Sequence, residues 1–107
     1  MPAADESLFE VDTPLGFSVR TTAAYWHIIV TLKHPVMRDR LADVEATLRE
    51  PDEIRRSRVD PSVYLFYRAD GARRWVCAVG RHQNEAGFLV TAYRTSAIKE
   101  GVRVWPR

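Results

Sequence analysis

Apolar positions change their spacing along this chain, and the changes mark out its elements. "LFEVDTPLGFSVRTT" alternates on either side of Pro14 and Gly16, which predicts two strands around a Thr-Pro-Leu-Gly turn, a hairpin over 8–20. In "TAAYWHIIVTLKHP" the residues Tyr25, Ile28, Ile29 and Leu32 fall at i, i+3, i+4 and i+7, one face of a helix. Trp26, Ile28, Ile29, Val30 and Thr31 are strand formers by propensity. The spacing, an N-cap at Thr21 or Thr22 and the break at Pro35 nevertheless predict a helix over 22–34. "PVMRDRLADVEATLREP" repeats the helical period: Met37, Leu41, Val44 and Leu48 form the stripe, Pro35 suits the first turn and Pro51 closes it. "DEIRRSRVDP" has no period and predicts a polar connection with a turn at Asp60-Pro61.

Strand signals follow. "SVYLFYR" runs into a turn at 69–72, "RRWVCAVG" returns as its hairpin partner, and "RHQNEAG" makes a longer turn before "FLVTAYRT". The tail "SAIKEGVRVWPR" fits a helical turn or a last short strand around Val102–Trp105. Helices followed by an antiparallel meander predict an α+β domain, the N-terminal helices packed on one face of an antiparallel sheet with an extra N-terminal hairpin. The expected organisation is a single domain over 1–107, with a flexible tail at 1–7 and a core over 22–101.

One strand changes character along its length. "GFLVTAYRTSAIKEG" opens with core residues and then presents Thr91, Ala92, Tyr93, Arg94 and Thr95. Strict alternation would put Phe88, Val90 and Ala92 on one face and Leu89, Thr91, Tyr93 and Thr95 on the other, with same-face neighbours about 6.5–7 Å apart. A solvated sheet face would look like this, and so would the floor of a site.

Charge adds a direction. Sixteen Lys and Arg against fourteen Asp and Glu give a net charge of +2, too little by itself to indicate nucleic acid. Acidic residues gather in the first 12 positions and in 39–60, while 64–107 carries Arg68, Arg73, Arg74, Arg81, Arg94, Lys99, Arg103 and Arg107. That half can face an anionic partner. Cys77 is alone, so no intramolecular disulfide and no cysteine metal cluster can form; inside "RWVCAVG" it reads as core. No secretory h-region or membrane-spanning apolar run is present, and a cytoplasmic setting is expected.

The candidate chemistry rests on few residues. His27 and His34 lie two helical turns apart, hence on one helix face and about 10 Å apart. His27 lies deep in an apolar segment, where a histidine is commonly a hydrogen-bonded core residue. His34, just before Pro35, is better placed to be reached, although capping would also explain it. His82 reads as solvated. No metal-ligand spacing, nucleophile elbow, phosphate-cradling Gly-rich loop or carboxylate pair is recognisable. The remaining His, Arg, Lys, Thr and Tyr fit metal-free phosphodiester cleavage, which needs a base, an acid and donors for the charge on phosphorus.

"HIIVTLKHPVM", "LREPDEIRRSRVDPSVYLFYR" and "GFLVTAYRTSAIKEG" together resemble the phage-associated branch of the barnase–EndoU–colicin–RelE-like (BECR) nucleases. The similarity spans about residues 25–101 as an ordered string of short motifs. It implies a metal-independent endoribonuclease without cofactors, toxin-like or phage-associated, acting on RNA and neutralised by an antitoxin or immunity protein. Carried over, His34 of the His-Pro motif would be acid or base, and His27 matches a second histidine without a fixed role. Arg68 would bind the scissile phosphate. Thr91 and Tyr93 of the Thr-Ala-Tyr strand would donate to phosphate or orient the 2′-hydroxyl, and Lys99 and Arg94 would add charge. The hairpin over 8–20 departs from a minimal domain of this kind. Two other readings stand beside it: an inactive RNA-binding or protein-interaction module of the same fold, and an unrelated α+β interaction protein.

Overall fold

The computed structural model describes residues 6–106. It contains the strands β1 (Ser7–Asp12), β2 (Ser18–Thr22), β3 (Glu53–Arg56), β4 (Val63–Ala69), β5 (Trp75–Gln83), β6 (Ala86–Thr95) and β7 (Val102–Trp105), and the helices α1 (Ala23–Ile28) and α2 (Leu41–Arg49). Most of the tail expected at 1–7 lies outside the described residues; Ser7 is already in β1.

All seven strands form one sheet in the order β1-β2-β6-β5-β4-β3-β7. The expected all-antiparallel sheet is corrected to a mixed one, because β2 joins β6 in parallel through the single bridge Arg20↔Phe88. A parallel neighbour needs a long crossover, and the helices together with β3–β5 supply it. The N-terminal hairpin thus extends the sheet at one edge. Gly87 permits the join: a Cβ there would collide with the Ser18 carbonyl oxygen. At the other edge β7 pairs with β3, which the sequence hid inside a polar stretch. Only Ile54 of that strand is fully buried.

The first helical region obeys its caps but not its predicted face. Thr22 accepts the Tyr25 backbone N–H at 3.1 Å, as an N-cap should. After α1 the chain widens into a π-helical segment, Ile29–Lys33, closed by the His34 N–H donating to the Ile29 carbonyl at 2.7 Å. Trp26, Ile29 and Val30 are the buried set. The expected stripe is corrected: Ile28 is 41% and Leu32 77% exposed. Trp26, Ile29 and Val30 also fall at i, i+3 and i+4, and this face carries the largest apolar side chain to the core.

The single helix expected from Pro35 to Pro51 is corrected: Pro35–Met37 form a 3-10 turn and α2 begins only at Leu41, although the stripe holds, with Met37, Val44 and Leu48 fully buried and Leu41 partly so. These side chains share one cluster with Phe9, Val19, Ile54, Phe66, Val76, Ala78, Leu89 and Ala92. A smaller cluster is built on Leu65, Tyr67, Cys77 and Val79, the alternate positions of β4 and β5.

A β-bulge corrects the alternation expected for β6. Val79 pairs with Thr91 and Gly80 with Leu89, leaving Val90 as the extra residue. Leu89 and Ala92 therefore enter the larger core, while Val90 packs with Tyr93 against the smaller one. The bulge carbonyl is not left unsatisfied: the Tyr25 hydroxyl donates to it at 2.7 Å.

Candidate functional site

Strand pairing sets side chains from β4, β5 and β6 in rows across the sheet. Tyr67, Cys77 and Tyr93 form one row, and Leu65, Val79 and Thr91 the next. Above these rows lies an open recess of about 590 Å³, bounded by His34 on one side and by Ser96, Ala97, Lys99 and Glu100 on another. Ser57 and Thr95 complete its polar rim.

Each wall has a local cause. His34 ends the π-helical segment at φ −139° and ψ 76°, outside the helical region, before the turn that Pro35 begins. Its ring lies 5.5 Å from that of Tyr93, tilted by 41°. The Lys99 segment leaves β6 through Thr95, whose hydroxyl donates to the Ala97 carbonyl at 3.1 Å. It ends at Gly101, where φ is +80° and a Cβ would stand 2.5 Å from the Arg56 carbonyl oxygen. Only glycine meets both demands.

Burial fixes the protonation of the floor. It raises the phenols of Tyr67 and Tyr93 well above the ordinary tyrosine value, so both remain O–H donors at neutral pH. It pushes the Cys77 thiol up to about 12, which makes this fully buried cysteine an inert packing residue, as its apolar setting in the sequence implied. The Thr91 hydroxyl oxygen is buried without a hydrogen-bond partner among the described residues. The recess thus holds an imidazole, an ammonium, a carboxylate and several hydroxyl donors.

Of the residues singled out in the sequence, His34, Thr91, Tyr93 and Lys99 come together here. His27 does not. It is exposed, 3.4 Å from the Thr31 hydroxyl, because the helix buries the Trp26 face instead. Arg68 is also corrected. It alternates with Tyr67, so its row is Arg68–Val76–Arg94, and Val76 belongs to the larger core. Its guanidinium donates to the Glu50 carbonyl at 2.7 Å, closing the C-terminal end of α2. Arg94 donates to Asp70 at 2.7 Å. His82, expected to be solvated, stacks on Phe17 with ring centroids 4.1 Å apart. Tyr67, Ser57 and Glu100 were not singled out. Tyr67 could have been: in "YLFYR", alternation puts it opposite Arg68, on the face that hairpin pairing aligns with Tyr93.

Asp70 yields a stability prediction. Hydrogen bonds from Arg40 and Arg94 hold its carboxyl down from the ordinary 3.8 to about 2. Asp70 thus ties the entry of α2 to the β4–β5 turn and to β6. A carboxyl depressed on folding stabilises above its unfolded value and loses that contribution as pH falls towards its folded one. With partial exposure discounted, about 1–2 kcal/mol is at stake. Urea titrations should show that Asp70→Asn loses this at pH 7 and has a flatter stability profile than wild type between pH 4 and pH 2.

Among the described residues no group of three or more His, Cys, Asp or Glu side chains could hold a metal ion, and no helix is long and apolar enough to cross a membrane. In comparisons with family models, curated proteins and solved structures, none matches this chain.

Proposed function

We propose that the recess is the active site of a metal-independent endoribonuclease, and that the fold is a BECR-like one with its helices on one sheet face and the site on the other. One observation carries this reading: His34, Lys99, Thr91 and two tyrosines line the same open recess. The phenols are held protonated and so do not serve as the base, a role that falls to His34. It takes the proton of the substrate 2′-hydroxyl as that oxygen attacks the adjacent phosphorus. The 2′-oxygen–phosphorus bond forms, the bond to the 5′-oxygen breaks, and the imidazolium returns its proton to the leaving 5′-oxygen. The products are a 2′,3′-cyclic phosphate and a 5′-hydroxyl. Lys99 takes the charge-stabilising role that Arg68, occupied with Glu50, does not supply, and Tyr67, Tyr93 and Thr91 donate to the phosphoryl oxygens.

The test uses purified protein and end-labelled RNA in excess chelator. Cleavage is expected, with cyclic phosphate ends, and a 2′-deoxy substitution at the cleaved nucleotide should block it. Equal cutting of DNA, or dependence on a divalent ion, overturns the mechanism. Tight RNA binding with no cleavage would instead favour an inactive binding module.

A further inference from the structure

The face that carries the recess continues towards the N-terminal hairpin. The next row is Val63–Arg81–Phe88, and the parallel bridge extends it to Arg20. Phe88 therefore stands between two arginines on adjacent strands. The Arg20 guanidinium lies over its ring, 4.6 Å from the centroid, and the phenylalanine is 41% exposed. A core ring would be covered. This one offers a flat surface of aromatic and guanidinium layers, the kind on which nucleobases stack.

Beside it lies a cleft. After its single bridge β2 turns into α1 and parts from β6, leaving a space of about 720 Å³ bordered by Thr21, Tyr25, Gln83 and Val90. Thr21 is only 5% exposed, and its hydroxyl oxygen is buried without a hydrogen-bond partner among the described residues. A buried hydroxyl left unpaired destabilises the fold, and a polar ligand group would relieve that. Arg81 reaches Asp60 at 3.0 Å, but both side chains are more than 40% exposed, so the pair is weak and a phosphate can displace the carboxylate.

We propose that this cleft is a second nucleotide subsite, in which a base of single-stranded RNA neighbouring the cleaved bond stacks on the Arg20–Phe88 pair. Arg81 holds a backbone phosphate, and Thr21 and Gln83 meet polar atoms of the base. The proposal rests on the ribonuclease reading of the recess. The Phe88 row lies one step beyond the Thr91 row on the same face, about 7 Å along the strands. That is about the span of one nucleotide, so a strand cleaved at the recess must cross the cleft if it runs towards β2.

Two substrates separate the sites: a dinucleotide with one phosphodiester, and a hexanucleotide containing the same step. Phe88→Ala and Arg20→Ala should raise KM for the hexanucleotide about tenfold, with kcat and dinucleotide cleavage unchanged. Thr21→Val should weaken hexanucleotide binding several-fold while keeping or raising Tm, a combination that a packing role would not produce. An unchanged hexanucleotide KM in the Phe88 and Arg20 variants, or equal loss on both substrates, overturns the subsite. If the wild type cuts neither substrate, the ribonuclease reading fails and anisotropy with a labelled uncut hexanucleotide decides. A tenfold weaker Kd in Phe88→Ala then supports the subsite. An unchanged Kd, no binding by the wild type, or occupation of this face by a protein in place of RNA overturns it.

Discussion

His34→Ala is expected to slow RNA cleavage by about 10²–10⁴-fold, the usual worth of a positioned acid–base group, while leaving the thermal midpoint within about 4 °C of wild type. The imidazole projects from the end of a helical segment into an open recess, and the backbone around it is already satisfied. Its N–H bonds to Ile29 and its carbonyl accepts the Met37 N–H at 3.0 Å. Removing the ring therefore empties the site without unpairing the chain. Single-turnover cleavage and a melting curve on one preparation check this. A collapse in Tm matching the loss of rate would return His34 to a structural role, and a fall of less than about tenfold would remove it as the base. Arg68→Ala serves as the contrast: with its guanidinium on Glu50 and away from the recess, it should lower stability modestly and leave chemistry at the bound phosphate unchanged.

Leu48→Ala should destabilise the fold by about 2–5 kcal/mol, enough to lower Tm by more than about 10 °C. Leu48 is fully buried on α2 within the cluster that also contains Val44, Ile54 and Phe66. Deleting its isobutyl group leaves a cavity where neighbours from several elements cannot all relax. Leu32→Ala, the same substitution on the preceding helical segment, should fall within about 0.5 kcal/mol of wild type, because Leu32 is 77% exposed. Denaturant melts of the two variants decide between the observed buried face of the first helical region and the Tyr25–Leu32 face. Comparable losses would mean that Leu32 is covered in solution.

The unequal legibility of the two helices has a simple origin. Met37 just before α2 and Leu41, Val44 and Leu48 on it offer one apolar register, so pattern and packing agree. The segment before it offers two overlapping registers, and only the position of the sheet chooses Trp26, Ile29 and Val30. Strand β6 poses a related problem: its alternation is broken by a bulge defined by pairing with β5, a long-range property that no local window contains. Strand β3 carries three charged side chains and buries a single isoleucine, so it reads as a loop until β4 and β7 flank it. Of the candidate site residues, His34, Thr91, Tyr93 and Lys99 line one recess, as their places at the helix end and along and just after β6 allow. Arg68 and Arg94, whose charge suggested phosphate, are not brought to it: the period-2 pleat turns them towards Glu50 and Asp70. A charged side chain announces its chemistry in sequence, but not which side of the sheet it serves.

The π-helical segment Ile29–Lys33 makes the aim of His34 a matter of residue count. The turn that closes on His34 runs from Ile29, an i to i+5 hydrogen bond and so one residue longer than an α-turn, and each residue of an α-helix turns its successors by about 100°. Substitutions among the exposed positions Thr31, Leu32 and Lys33 alter the surface and leave that angle alone. Loss of a single residue would let the helix rewind to its ordinary pitch and swing the imidazole away from Tyr93, with the core still anchored by Trp26 and Ile29. The bearing of His34 is thus more sensitive to an in-frame codon deletion than to most point changes nearby, and a homologue one residue shorter in this segment would keep the scaffold and lose the register of this imidazole.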